Sequence, residues 1–203
     1  MNYTDVTSLA LSYADRNDSD LVSKMDSFLR IVEARANRFL KTQEMALRYT
    51  IPMVTGQNRY TLPSDYTGMR EISIYSNATP ATRTTLQYLS PEQMNSVQTG
   101  SRVYYTITAG KLVVAPSQET GCTVEIVYYR RLTPLSSTVT TNWVSDSSPD
   151  VYVFGLLVEI SSFVKDPNAK QLWDERFKEA LSAIQDDDFS NRWAGSAMRV
   201  RLG

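Results

Sequence analysis

Glycine and proline partition this chain more sharply than any other feature. Residues 1–51 contain neither, all eight prolines lie between Pro52 and Pro167, and residues 168–194 again contain neither. Both residue types punctuate turns and interrupt helices, so the order is helix, then a turn-rich β region, then helix. Ten of the twelve tyrosines fall between Tyr49 and Tyr152, which suits strands in the middle. The predicted fold class is α+β: a helical bundle formed by N- and C-terminal helices, an inserted small antiparallel β-sandwich or barrel, and an extended C-terminal arm. The expected boundaries are 1–48 for the N-terminal helices, 49–147 for the β insert, 148–188 for the C-terminal helices and 189–203 for the arm.

A weak helical segment covers residues 4–15. A stronger one follows Asn17-Asp18-Ser19, a potential N-cap, with apolar residues at Leu21, Met25, Phe28, Leu29, Val32, Ala36, Phe39 and Leu40. The other face carries Lys24, Arg30, Glu33, Arg35, Arg38, Lys41 and Glu44. It reads as a solvated face rather than a nucleic-acid patch, because residues 19–48 set six basic residues against four acidic ones. Strands are expected at 47–54, 59–62, 69–75, 84–89, 102–108, 111–115 and 122–131, with a hairpin turn at Ala109-Gly110 and a short helix at 90–97 capped by Ser90.

Residues 138–146 read as a polar linker. Ser148 then caps a helix with Pro149 at its first position. Residues 151–164 are apolar on nearly every face, so the helix must be covered all round. Cover from a second subunit is the expectation, which makes Val151, Phe154, Gly155 and Val158 interface candidates; close packing explains a glycine at 155. Asp166-Pro167 opens the last helix, with Trp173, Phe177, Leu181 and Ile184 as its stripe.

No helical pattern is read after 188. Met198, Val200 and Leu202 alternate with Arg199 and Arg201, so the tail reads as a docking arm able to add a strand to a partner's sheet, its contacts made by Arg192, Trp193 and residues 198–202. A frayed end is the plainer alternative. Residues 166–188 carry seven acidic and three basic side chains, for −4, whereas 189–203 carry three arginines and no acid, for +3. Asp186, Asp187 and Asp188 could therefore face the arm of a neighbouring copy, through pairs that solvent weakens.

Catalytic chemistry finds little support. At 203 residues, 42% hydrophobic and 21% charged, the chain has the composition of a globular protein with one core and a satellite. A net charge of −1 gives no field for nucleic acid or an anionic membrane, and no window has the unbroken apolar length of a spanning helix. The N-terminus lacks a signal-peptide pattern, so synthesis in a cytoplasm is expected. Histidine is absent, which removes the usual triads and His-ligated metals. Cys122 is alone and in strand-like sequence, so it reads as a buried hydrophobe. Asp186-Asp187-Asp188 reads as a soluble helix end rather than a metal site, and no phosphate-binding glycine loop exists. The pairs Tyr104-Tyr105 and Tyr128-Tyr129 read as packing rather than stacking platforms, since neighbours on a strand point to opposite faces. Glu71, Glu125 and Glu159 sit in apolar runs, but no spacing pairs two of them for glycoside hydrolysis. Neither a cofactor nor catalysis is expected; a carbohydrate-binding or glycan-cleaving β module is the alternative.

Four segments carry a further likeness: Leu62-Pro63-Ser64-Asp65-Tyr66; Tyr105-Thr106-Ile107-Thr108-Ala109-Gly110-Lys111-Leu112-Val113-Val114-Ala115-Pro116; Val127-Tyr128-Tyr129-Arg130-Arg131-Leu132-Thr133-Pro134-Leu135; and Trp143-Val144 through Pro149-Asp150-Val151-Tyr152-Val153-Phe154-Gly155-Leu156-Leu157-Val158-Glu159 to Asp166 and the Trp173 helix. In this order, over roughly residues 18–188, the chain resembles the head-to-tail adaptors of short-tailed bacteriophages, the tail tubular A or gatekeeper-type ring subunits. The resemblance implies a structural virion protein at the head–tail junction. It implies a closed homo-oligomeric ring, typically twelve-fold, between the portal protein and the tail nozzle protein. Genomic DNA would pass through its channel without sequence-specific binding, and the arm would reach the portal. Residues 1–18 match the family pattern poorly, and their role is left open.

Overall fold

The computed structural model describes residues 1–97 and 99–193. The α+β class is as expected: among the described residues there are six α-helices and two four-stranded sheets. The chain forms two compact units, one of residues 1–44 with 132–203 and one of residues 45–131.

The helical unit opens with α1 (Tyr3–Tyr13), started by a reciprocal capping box between Asn2 and Asp5, and α2 (Ser19–Phe39). Asp18 occupies the N-cap position of α2, but its side chain makes no capping bond; its carboxylate takes Arg16 at 3.2 Å instead. Most of the apolar stripe is as the spacing predicts, with Leu21, Met25, Leu29, Val32 and Ala36 buried, but Phe39, at the last turn, is exposed.

The chain returns to this unit after residue 131, and here it departs from the sequence reading. Within the expected polar linker, Asn142 caps a short helix, α4 (Trp143–Ser147), by a box with Ser145. Ser148 stands at the N-cap of α5 (Pro149–Phe163), yet its side chain makes no capping bond, contrary to expectation. The α5 helix is buried on almost every side by α1, α2, α4 and α6 (Pro167–Trp193). A second subunit is therefore not needed to cover it. Val151 and Val158 are each 1% exposed and Gly155 is buried, so these three present no surface to a neighbour. A Cβ at Gly155 would lie 2.5 Å from Val32 Cγ1 and 3.0 Å from Phe177, which is the close packing its position suggests. The cover from α1, through the buried Val6 and Ala10, gives residues 1–18 a structural role.

Asp166 caps α6 as predicted, accepting from the backbone N–H of Asn168 (3.1 Å) and Ala169 (3.0 Å). The helix runs on to Trp193, five residues beyond the expected end at 188, so residues 189–193 are helix and not arm.

The β unit holds eight strands: β1 (Ala46–Pro52), β2 (Arg59–Thr61), β3 (Tyr66–Tyr75), β4 (Arg83–Thr85), β5 (Gln87–Tyr88), β6 (Tyr104–Thr108), β7 (Lys111–Ala115) and β8 (Thr123–Arg130), with α3 (Pro91–Met94) after β5. Ser90 and Gln93 form the capping box of α3. One sheet has the order β1-β8-β3-β4 and the other β2-β7-β6-β5. The strand expected at 84–89 is thus two strands in different sheets, divided at the buried Leu86. Among the described residues the named strands pair antiparallel except β5 with β6, which are parallel. Ile51, Ile72, Ile74, Leu112, Val124, Ile126 and Tyr128 share one core, with Cys122 beside them. At the hairpin, both Ala109 (φ 51°) and Gly110 (φ 71°) take left-handed backbone angles, as a two-residue turn between twisted strands requires. The first and last strands of the unit pair directly, Ala46 opposite Tyr129.

Candidate functional site

The helical unit contains a buried polar cluster where the chain re-enters from the β unit. Glu33, on α2, is 5% exposed. Its Oε1 accepts from the backbone N–H of Leu135 at 2.6 Å and from the Tyr152 hydroxyl at 3.3 Å. Asn142 Nδ2 donates to Tyr152 Oη and to the Thr133 carbonyl, both at 2.7 Å. One turn further along α2, Asn37 accepts from the Leu132 N–H at 2.8 Å. The cluster thereby fixes residues 132–135 to α2 and α5. Burial pushes the Glu33 carboxyl above its ordinary range, against the lowering effect of its two donors. Burial likewise raises the Tyr152 phenol, so it stays protonated and donating. The sequence pattern assigns Glu33 to a solvated face, and the structure corrects it. Its i+4 spacing from Leu29 is the signal in the sequence, since it puts the carboxylate on the apolar stripe.

Arg35, also assigned to the solvated face, is the centre of a second cluster. It pairs with Asp174 and with Glu159 (3.8 Å) while its guanidinium lies 4.7 Å from the Phe177 ring centroid. Asp174 also takes Lys178 at 2.7 Å. Burial acts to raise the Asp174 carboxyl, but the bonds from Lys178 and Arg35 outweigh it and hold it low. Glu159 is raised by burial. In the β unit, Glu71 pairs with Arg83, and Glu125 with Arg48 at 3.5 Å. The three glutamates singled out in the sequence therefore occupy three separate ion pairs.

The tyrosine pairs serve packing. Tyr128 is buried, stacks on Tyr66 and donates to Asp65 at 2.9 Å. Tyr105 meets Tyr88 edge to face with centroids 5.7 Å apart.

A groove of about 810 Å³ opens on the helical unit, lined by Thr42, Glu44, Trp143, Asp146, Asp187 and Asp188 among others. Its wall is held by α6. Gln185 Nε2 donates to the Phe39 carbonyl at 2.8 Å, Asp188 accepts from the Gln43 N–H at 2.7 Å, and Arg192 bridges Asp188 (2.5 Å) and the Lys41 carbonyl (3.2 Å).

Of the interface candidates, Phe154 is half-buried and stacks on Trp173 (5.8 Å between centroids), Asp186 and Asp187 are exposed, and Asp188 is engaged as above. Of the expected docking residues, Arg192 is in place on α6 and Trp193 is the last residue of that helix. Met198, Arg199, Val200, Arg201 and Leu202 lie outside the described residues.

Polar clusters thus tie α2 to α5, α6 and residues 132–135, and an acidic groove lies beside the end of the long helix α6. The chain matches the SU10 adaptor protein family over residues 1–201 and belongs to it. That family makes it a structural adaptor of bacteriophages, a virion component at the head–tail junction that associates with other head–tail proteins. No curated protein matches the chain.

Proposed function

We propose that the protein forms a closed ring, typically twelve-fold, joining the portal to the tail nozzle of a short-tailed phage and extending the DNA channel. The family match over 1–201 is the observation that carries this reading. A net charge of −1 suits a channel through which DNA must slide rather than bind. Closed rings use one patch against a different patch on the next subunit. With Val151, Gly155 and Val158 buried, the interface candidates that remain at the surface are Asp186 and Asp187, with Phe154 half-buried. The arm is redrawn to residues 194–203, which we assign to the portal.

The test is truncation after Trp193, which keeps the Arg192 contacts to Asp188 and Lys41. The truncated chain should fold with unchanged helicity and fail to join portal-bearing heads in a pull-down. Undiminished attachment would overturn the arm's role. Class averages of assembled particles by electron microscopy should show a ring at the junction; a single copy there would overturn the ring.

A further inference from the structure

We propose that Phe189 of one copy enters the pocket lined by Tyr13 and Trp173 of the next, making the head-to-tail contact of the ring. The proposal rests on the ring reading above.

The pocket lies in the helical unit, where the end of α1 meets the end of α5 and the start of α6. It holds about 210 Å³ and is lined by Tyr13, Trp173, Leu157, Ile160 and Val164 among others. A cavity on the order of 150 Å³ admits a benzene ring. The walls suit an aromatic guest. Tyr13 meets Trp173 edge to face with centroids 6.1 Å apart, and Phe154 stacks on Trp173 at 5.8 Å. Rings prefer such edge-to-face and offset neighbours.

Phe189 is the complement. At 64% it is more exposed than any other large apolar side chain among the described residues. A lone exposed apolar residue is ordinary on a surface, so its placement relative to the pocket is what carries the argument. From Trp173 to Phe189, α6 rises about 24 Å and turns so that the two residues stand about 160° apart round its axis. No side chain spans that distance, so Phe189 cannot fill the pocket of its own subunit. A heterologous contact needs a knob and a socket on different faces of each copy, and α6 places them on opposite faces at its two ends.

Charge points the same way. Asp186 stands one turn before Phe189, and the Arg176 guanidinium lies 5.9 Å from the Trp173 ring centroid; neither is in an ion pair among the described residues. Docking Phe189 beside Trp173 brings these two unmatched charges together. Arg16 and Asp166, also on the lining, are already engaged, by Asp18 at 3.2 Å and by the first N–H groups of α6. Of the interface candidates left at the surface, Asp186 thus stands beside the knob and Phe154 beside the socket.

Crosslinking of heads assembled with the full-length chain tests this. Arg16→Cys at the pocket and Ser190→Cys beside Phe189 are combined, with Cys122→Ala to remove the native thiol. Arg16 and Ala169 line the same pocket, and Ser190 lies about 30 Å beyond Ala169 along α6. A bis-maleimide shorter than half that span therefore bridges only different copies. The expected product is a ladder of covalent oligomers that extends past the dimer. Phe189→Ala in the same chain should cut the ladder about thirtyfold with an unchanged melt, because the ring it removes is exposed in the free subunit. Arg176→Glu should cut it about fivefold at low salt, and adding Asp186→Arg should restore it. A ladder indifferent to Phe189→Ala would overturn the proposal. Dimers alone would overturn it in favour of a two-fold contact, and a crosslink to another head protein in favour of that protein as the guest. Electron-microscopy class averages separate the two readings: a ring without the ladder removes this contact and leaves the ring, whereas a single copy at the junction removes both.

Discussion

Replacing Glu33 separates the two costs that meet at the buried cluster. The Glu33→Ala change leaves the Leu135 N–H and the Tyr152 hydroxyl without their shared acceptor, in a place that is 5% exposed. Each orphaned buried donor costs about 1–3 kcal/mol, so Ala should destabilise the helical unit by about 3–5 kcal/mol with the lost packing included. Glu33→Gln keeps an oxygen for both donors and removes the charge. At pH 7 it should lie within about 1 kcal/mol of the native chain. The pH dependence has a definite sign. Glu33 binds its proton more tightly folded than unfolded, so its contribution is most favourable below the ordinary glutamate value and declines as pH rises through the elevated folded value. The Gln chain therefore gains on the native chain as pH rises across that window, by about 1.4 kcal/mol for each tenfold difference in proton affinity. Urea melts at pH 4.5 and pH 7.5 measure this. Trp143, Trp173 and Trp193 all belong to the helical unit, so tryptophan emission follows that unit without the β insert. Equal losses for Ala and Gln, or a Gln advantage that shrinks as pH rises, would refute the reasoning.

Gly155→Ala should lower the melting temperature of the helical unit. The gain in helix propensity is about 1 kcal/mol, but the new methyl meets Val32 at 2.5 Å, and overpacking of that kind costs about 1–3 kcal/mol. Stabilisation by the alanine in a thermal melt would show that α2 and α5 can part at no cost. Asn142→Ala removes the α4 cap and two buried donations, to Thr133 and Tyr152, and should cost about 2–4 kcal/mol in tryptophan-monitored melts, while Asn142→Asp, which keeps only the cap, should recover part of it. Ala109→Asn should stabilise the β unit by about 0.5–1 kcal/mol, because asparagine tolerates the left-handed angle at φ 51° better than alanine. Far-ultraviolet circular dichroism melts of the β signal provide the check.

Where burial is one-sided, the pattern is legible in the sequence. The alternation of Val124, Ile126 and Tyr128 against Thr123, Glu125 and Val127 matches a strand with one face on the core. The α2 stripe and the Asp166 cap are equally local, and both stand as expected apart from the exposed Phe39. What the sequence hides depends on what lies across from a residue. Glu33 looks solvated by its residue type, although its partners Leu135 and Tyr152 lie more than a hundred positions away. The run 84–89 alternates like a single strand, and nothing local tells which residue crosses between sheets. Asn142 and Ser145 cap α4 with a serine at the third position where a glutamate or glutamine is the usual sign. The cover of α5 is invisible locally because one of its layers is α1, whose own helical pattern is weak. For the candidate site, charge segregation is visible in sequence, but the groove that gathers Glu44, Asp146 and Asp187 exists only once three separate segments meet.

The pairing of β1 with β8 has a consequence for how such chains change over generations. Residues 45–131 leave and re-enter the helical unit through two neighbouring strands, Ala46 opposite Tyr129. Once that ladder forms, a long loop behaves as a short one, and the closure entropy of its many residues falls on the insert's own folding. The helical unit is therefore expected to tolerate exchange of one β module for another, or its trimming to a turn, as long as the two ends are joined as the β1–β8 ladder joins them. A chain in which residues 46–130 are replaced by a short glycine–serine linker should keep the tryptophan-monitored melt of the helical unit; loss of that transition would show that the insert is required for the unit to fold.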